Sequence, residues 1–114
     1  MRWILSIFLL QLAALSAAGS ANEAPKIDLR TLLFDYPPLA LREGWQGTVH
    51  YKLMVGKNGK AKSCKITQSS GHVFLDDETC KAMKKRVRFQ PATDHLGKPT
   101  DGLYESKFTF RIPR

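Results

Sequence analysis

The chain predicts an α+β fold: a three-stranded antiparallel sheet packed against one long and one short helix. Three observations carry this. Two stretches, Gly47–Val55 and Leu103–Ile112, alternate apolar and polar residues with period two, the mark of strands that bury one face. The segment Gly56-Lys57-Asn58-Gly59 is rich in turn residues and precedes a further extended stretch. Between them, Leu75, Thr79, Met83 and Val87 recur every four residues, the apolar stripe of an amphipathic helix.

Taken in chain order, the first element is a targeting segment. Arg2 supplies a positive start, Trp3–Leu15 is almost unbroken apolar sequence, and Ser16-Ala17-Ala18-Gly19-Ser20-Ala21 is uniformly small. Charge, short apolar run and small-residue zone are the order of a removable secretory signal, with cleavage expected after Ala18 or Ala21. The alternative is an uncleaved anchor, against which the run is shorter than the roughly 20 apolar residues that span a bilayer. Removing residues 1–21 takes away a single charge and leaves seventeen Lys and Arg against ten Asp and Glu, a net +7 on 93 residues. That is one domain with a core of modest size. A basic exported chain rarely meets nucleic acid. Its charge suits anionic headgroups, cell-wall polymers or acidic protein surfaces, or merely keeps a small domain soluble.

Residues 22–35 are polar and mixed, and read as a leader. Pro38–Glu43 is expected as the short helix, with proline in its first turn and Gly44 as its stop. In the strand Gly47–Val55, Val49, Tyr51, Leu53 and Val55 form the inward set, with Thr48, His50, Lys52 and Met54 on the outer face. Asn58-Gly59 suits a tight hairpin turn with positive φ angles. Lys60–Gln68 is the partner strand, with Cys64, Ile66 and Gln68 as its inward set. Ser69-Ser70-Gly71 breaks the pattern. The long helix follows, with Asp76 as its expected N-cap and Leu75 and Cys80 as a hydrophobic staple. Asp76, Asp77 and Glu78 sit at the positive end of the helix dipole, and Lys84, Lys85, Arg86 and Arg88 at the negative end. Phe89-Gln90-Pro91-Ala92 ends the helix, and His95–Pro99 is a loop. In the last strand, Leu103–Ile112, the residues Tyr104, Ser106, Phe108, Phe110 and Ile112 share one face. Leu103, Glu105, Lys107, Thr109 and Arg111 share the other.

The chemistry-bearing residues argue for binding over catalysis. His50, His72 and His95 are scattered, and no nucleophile elbow, metal helix or phosphate loop is visible. Asp76 and Asp77 are neighbours, about 100° apart on a helix, a poor acid–base pair. Cys64 and Cys80 allow one intramolecular disulfide, which an oxidising compartment would support. A zinc site drawing in His72 is the rival account, but no metal-ligand spacing supports it. Trp45 is either an exposed anchor for a partner or a lid over the sheet end.

Several motifs together resemble a known family. Tyr36-Pro37 with Ala40, Gly47-Thr48-Val49, Gly59-Lys60, Ser69-Ser70-Gly71, Leu75-Asp76, Arg88-Phe89-Gln90-Pro91-Ala92 and Gly97-Lys98-Pro99, followed by an aromatic final strand, resemble the TonB C-terminal domain family in type and order. The likeness runs from about Tyr36 to Ile112. It implies a periplasmic module, without cofactor or metal, that binds a short peptide of outer-membrane receptors for siderophores, cobalamin or similar cargo. The peptide joins the sheet as an added strand. By resemblance the receiving edge is the last strand, whose outer-face residues are Leu103, Glu105, Lys107, Thr109 and Arg111. A full transducer of this type also has a long proline-rich linker and a histidine in its apolar segment, and the sequence has neither. The alternative expectation is therefore an envelope protein that uses the same fold to bind cell wall or another envelope protein, without energy transduction.

Overall fold

A computed structural model describes residues 22–32 and 35–113. The expected signal segment, residues 1–21, lies outside the described residues.

In chain order the elements are β1 (Lys26–Ile27), a 3-10 turn (Leu29–Thr31), α1 (Pro38–Glu43), β2 (Gly47–Val55), β3 (Ala61–Gln68), α2 (Val73–Lys85), β4 (Phe89–Gln90), β5 (Ala92–Thr93), β6 (Pro99–Thr100) and β7 (Gly102–Phe110). The main sheet has the order β3-β2-β7 and is antiparallel throughout. Two short pairs, β1 with β4 and β5 with β6, extend the fold beside it.

The alternation in β2 translates directly into burial: Val49, Leu53 and Val55 are fully buried and Tyr51 nearly so. These residues and the α2 stripe face each other. One cluster joins Tyr51, Leu53, Val55 and Ala61 to Met83, Val87 and Phe89. A second joins Val49 and Phe110 to Leu75 of α2 and Ala40 of α1. Both helices thus cover the same face of the sheet, and the other face is left to Lys52, Lys65, Glu105 and Lys107. Fully burying one side chain of this size stabilises by about 1.5–3 kcal/mol, so these few residues carry most of the core. α1 starts at Pro38, and Gly44 ends it in the left-handed region at φ 71°.

Four local expectations are corrected. First, the β2–β3 turn is not a two-residue Asn-Gly turn. Gly56 N–H donates to Lys60 O and Gly59 N–H to Gly56 O, both at 2.9 Å, and only Gly59 takes positive φ, 81°. This is a three-residue loop whose third residue is left-handed. Second, the inward set of β3 changes parity. Ala61 is buried while Cys64 and Ile66 are half-buried, because the register slips between Met54 and Val55; Gln68 is exposed. Third, α2 begins at Val73 with His72 as N-cap, four residues ahead of the expected start. Asp76 faces back onto the preceding loop instead of capping, so the expected Leu75–Cys80 staple does not form around it. Fourth, α2 ends at Lys85. Arg86 and Val87 N–H both donate to Ala82 O, and Phe89–Gln90 becomes a strand. A tertiary partner causes this: Phe89 N–H donates to Gly59 O, and β4 pairs with β1 in the stretch read as a leader.

Candidate functional site

The edges of the main sheet are β3 and β7. They differ in how they are held. Cys64 of β3 is joined to Cys80 of α2 by a disulfide, with 5.6 Å between the Cα atoms. That bridge ties the β3 edge to the helix layer and leaves neither cysteine free for a metal. β7 is held by β2 alone within the main sheet, through nine unbroken register pairs from Gly47↔Phe110 to Val55↔Gly102.

Strand alternation decides which peptide groups β7 presents at its open side. In an antiparallel pair each residue turns both its N–H and its C=O to the same side, and successive residues alternate. Two observations fix the parity. Ile112 N–H donates to the Gln46 side chain at 2.8 Å, on the β2 side. The hydroxyls of Thr48 and Thr109, cross-strand partners, meet at 2.9 Å, the close approach of a pair that does not exchange backbone bonds. The even-numbered residues of β7 therefore bond to β2. The odd-numbered ones, Leu103, Glu105, Lys107 and Thr109, turn their peptide groups away from it, and Arg111 continues the series beyond the strand. Among the described residues no strand pairs with β7 on that side.

The side chains of this edge are mostly charged. Glu105 pairs with Lys52 across the strand at 3.4 Å, Lys107 and Arg111 are exposed, and Leu103 is half-exposed. Charge at an edge discourages random strand pairing while leaving the backbone available. At the far end Tyr36 lies edge-on to Phe110 at 5.6 Å, and Phe108 to Phe110 at 4.9 Å. These rings are part of the core, so the edge rests on a rigid base.

The other motif residues prove to be joints of the fold. The Tyr36 hydroxyl donates to Trp45 O, and Pro37 is buried as the N-cap of α1. Gly47 and Gly59 sit where the backbone comes closest to another strand of chain. A Cβ on Gly47 would stand 2.3 Å from Ser70 O, and one on Gly59 2.4 Å from Phe89 O. Asp76 receives the Ser69 hydroxyl at 2.5 Å, the Ser70 N–H at 2.9 Å and the Ser70 hydroxyl at 2.8 Å. Burial pushes its pKa upward, but these bonds from Ser69 and Ser70, with His72 nearby, outweigh that and hold it below the ordinary value. Gly71 takes φ 95° in the same loop. Leu75 is fully buried, Phe89 nearly so, and Pro91 separates β4 from β5. Trp45 is packed: it stacks on His72 at 5.3 Å and tilts against Phe74 at 5.9 Å.

The arrangement has clear relatives. Protein tonB2 of Pseudomonas aeruginosa is 41% identical over 78 residues, which are 68% of this chain and 28% of that protein's length. The solution structure of the Pseudomonas aeruginosa TonB CTD superposes with a TM-score of 0.64 at 24% identity, covering 81% of this chain and 90% of that one. It supports the same α+β fold. The family model for the Gram-negative bacterial TonB protein C-terminal matches residues 34–112, from just before Tyr36 to the end of the β7 edge, and with these joints and this sheet order the chain belongs to that family.

Proposed function

We propose that this domain is a peptide-binding module of the bacterial periplasm, taking an extended segment of an outer-membrane receptor as a fourth strand along β7. It acts by binding and not by catalysis. The observation that carries this reading is the run of outward peptide groups at Leu103, Glu105, Lys107 and Thr109 on an edge with no strand partner among the described residues. Strand addition draws affinity from main-chain bonds and specificity from alternate side chains, which fits an edge whose side chains are mostly polar.

The test follows from the parity. Thr109 turns its N–H outward, so a proline there removes a donor to the added strand and leaves the β2 ladder intact; edge strands accept proline in that orientation. Calorimetry of a peptide from the periplasmic end of an outer-membrane receptor, titrated into the native protein and Thr109→Pro, should show at least a tenfold loss of affinity, the equivalent of about 1.4 kcal/mol, roughly one hydrogen bond. Circular dichroism checks that the variant is folded. Undiminished binding by a folded variant would place the site elsewhere.

A further inference from the structure

We infer that one end of the domain, formed by the last turn of α2, the 3-10 turn and the β2–β3 loop, docks on the surface of an anionic phospholipid bilayer. These three segments are brought together by backbone bonds. Phe89 N–H donates to Gly59 O at 2.9 Å, Asp28 N–H to Arg88 O at 2.9 Å, and Arg88 N–H to the Thr31 hydroxyl at 2.8 Å. Segments far apart in sequence therefore present Lys57, Lys60, Lys84, Lys85, Arg86 and Arg88 at one end.

The charges there are in surplus. Acids of the adjoining segments are paired with other bases: Asp28 with Arg30 at 3.0 Å, Glu23 with Lys26 at 3.5 Å, Asp101 with Lys62 at 2.7 Å, and Glu78 with Lys81 at 3.6 Å. Asp94 accepts the N–H groups of Leu96 and Lys98. Among the described residues no carboxylate lies within ion-pair distance of the side chains of Lys60, Lys84, Lys85, Arg86 or Arg88, whereas Lys57 has Asp101 beside it, its N–H donating to that carboxylate at 3.1 Å. The helix dipole does not account for them. A helix C-terminus carries about half a negative charge, and Arg88 already meets it, donating to Lys85 O at 3.2 Å and Val87 O at 3.1 Å. Lys84, Lys85 and Arg86 are exposed beyond that need.

An apolar group at the same place favours a bilayer over a purely polar polymer. Leu29, in the 3-10 turn, is 71% exposed, next to Arg30, whose side chain is itself 90% exposed. An exposed leucine at an end that carries several unpaired bases is the composition that lies on anionic headgroups, with the bases on phosphate and the apolar tip below them.

Lysine footprinting tests the inference on the protein as recovered from the cell envelope. Acetylation is mapped with and without phosphatidylglycerol vesicles, using phosphatidylcholine vesicles as control and Lys65 and Lys107 of the outer sheet face as internal references. The expected result is protection of Lys84, Lys85 and Lys60 by the anionic vesicles only, weakening as salt screens the contact. The variant K84Q/K85Q/R86Q should lose on the order of 100-fold in affinity for those vesicles, at about fivefold per base. Leu29→Ser should lower affinity while leaving the salt dependence unchanged. Uniform protection that includes Lys65 and Lys107, equal protection by both vesicles, or protection only by isolated cell wall would each overturn the inference.

Discussion

Gly59 shows how much one residue decides. It takes the left-handed φ that closes the β2–β3 loop, and its missing side chain lets Phe89 O approach to where a Cβ would stand at 2.4 Å. Gly59→Ala meets both penalties, because the backbone there is strained for an L residue and the neighbour is main chain that cannot swing aside. A loss of about 1–3 kcal/mol is expected, read as a lowered urea midpoint with an unchanged slope. Gly44 offers a contrast: it also has positive φ, but nothing lies within 4 Å of its Cβ position, so only the conformational cost applies. Turn chemistry made Gly59 legible in the sequence as a loop residue. Its packing against Phe89 was not, since the partner lies 30 positions away and is recruited only by the fold.

At the scale of elements, the disulfide and the two sheet edges belong together. Cys64 and Cys80 close a loop of 16 positions and fasten β3 to α2. Constraining such a loop in the unfolded chain stabilises by about 3 kcal/mol in the chain-entropy account. Thermal unfolding with and without reductant, or of Cys64→Ser/Cys80→Ser, should therefore show a clear drop in midpoint on losing the bridge. Unequal fastening of the edges leads to a local expectation as well: after reduction, amide exchange should rise in β3 and the first turns of α2 before it rises in β2. The pairing was readable from the count of cysteines. The helix start was not. Asp76 looks like a cap by residue type, yet three hydrogen bonds from Ser69 and Ser70 turn its carboxylate onto the loop, and the helix extends back to Val73. A propensity for capping is local, and a buried carboxylate goes where donors converge.

For the whole molecule, charge sets the response to pH. Four aspartates have pKa values held below the ordinary range. Asp28 is lowered by its bond to the Arg30 side chain, Asp94 by the Lys98 N–H, and Asp101 by the Lys62 ammonium; Asp76 is lowered by Ser69 and Ser70 against an opposing burial effect. A carboxylate depressed in the folded state contributes stability that is present above its unfolded pKa, about 3.9, and is lost as pH falls through the folded value. The melting temperature should thus fall as pH drops below about 4. Asp76→Asn should be less stable than the native protein at pH 7 by about 1–3 kcal/mol, from weakened buried hydrogen bonds, and should lose less on acidification. An unchanged acid slope in that variant would assign the sensitivity to the other three aspartates. Those three are solvated, so added salt should flatten their share.

The sequence by itself determined the elements that periodicity governs. The inward face of β2, the stripe of α2 and the short α1 between Pro38 and Gly44 were legible, because burying one face forces a period and a stop on the residues that form it, and the partnership of the two cysteines was legible from their number. Only the tertiary structure decided how β1 and β4 meet, where α2 begins and ends, and which peptide groups of β7 point away from β2. It also gathered six bases from two segments, the β2–β3 loop and the end of α2, at one end. The start of α2 rests on the bonds from Ser69 and Ser70 to the Asp76 side chain; the others depend on pairs of residues tens of positions apart, satisfied by backbone bonds that a residue of almost any type can make. A hydrogen bond between main-chain atoms leaves no mark on residue type, and so the joints and the open edge became visible only once the chain was folded.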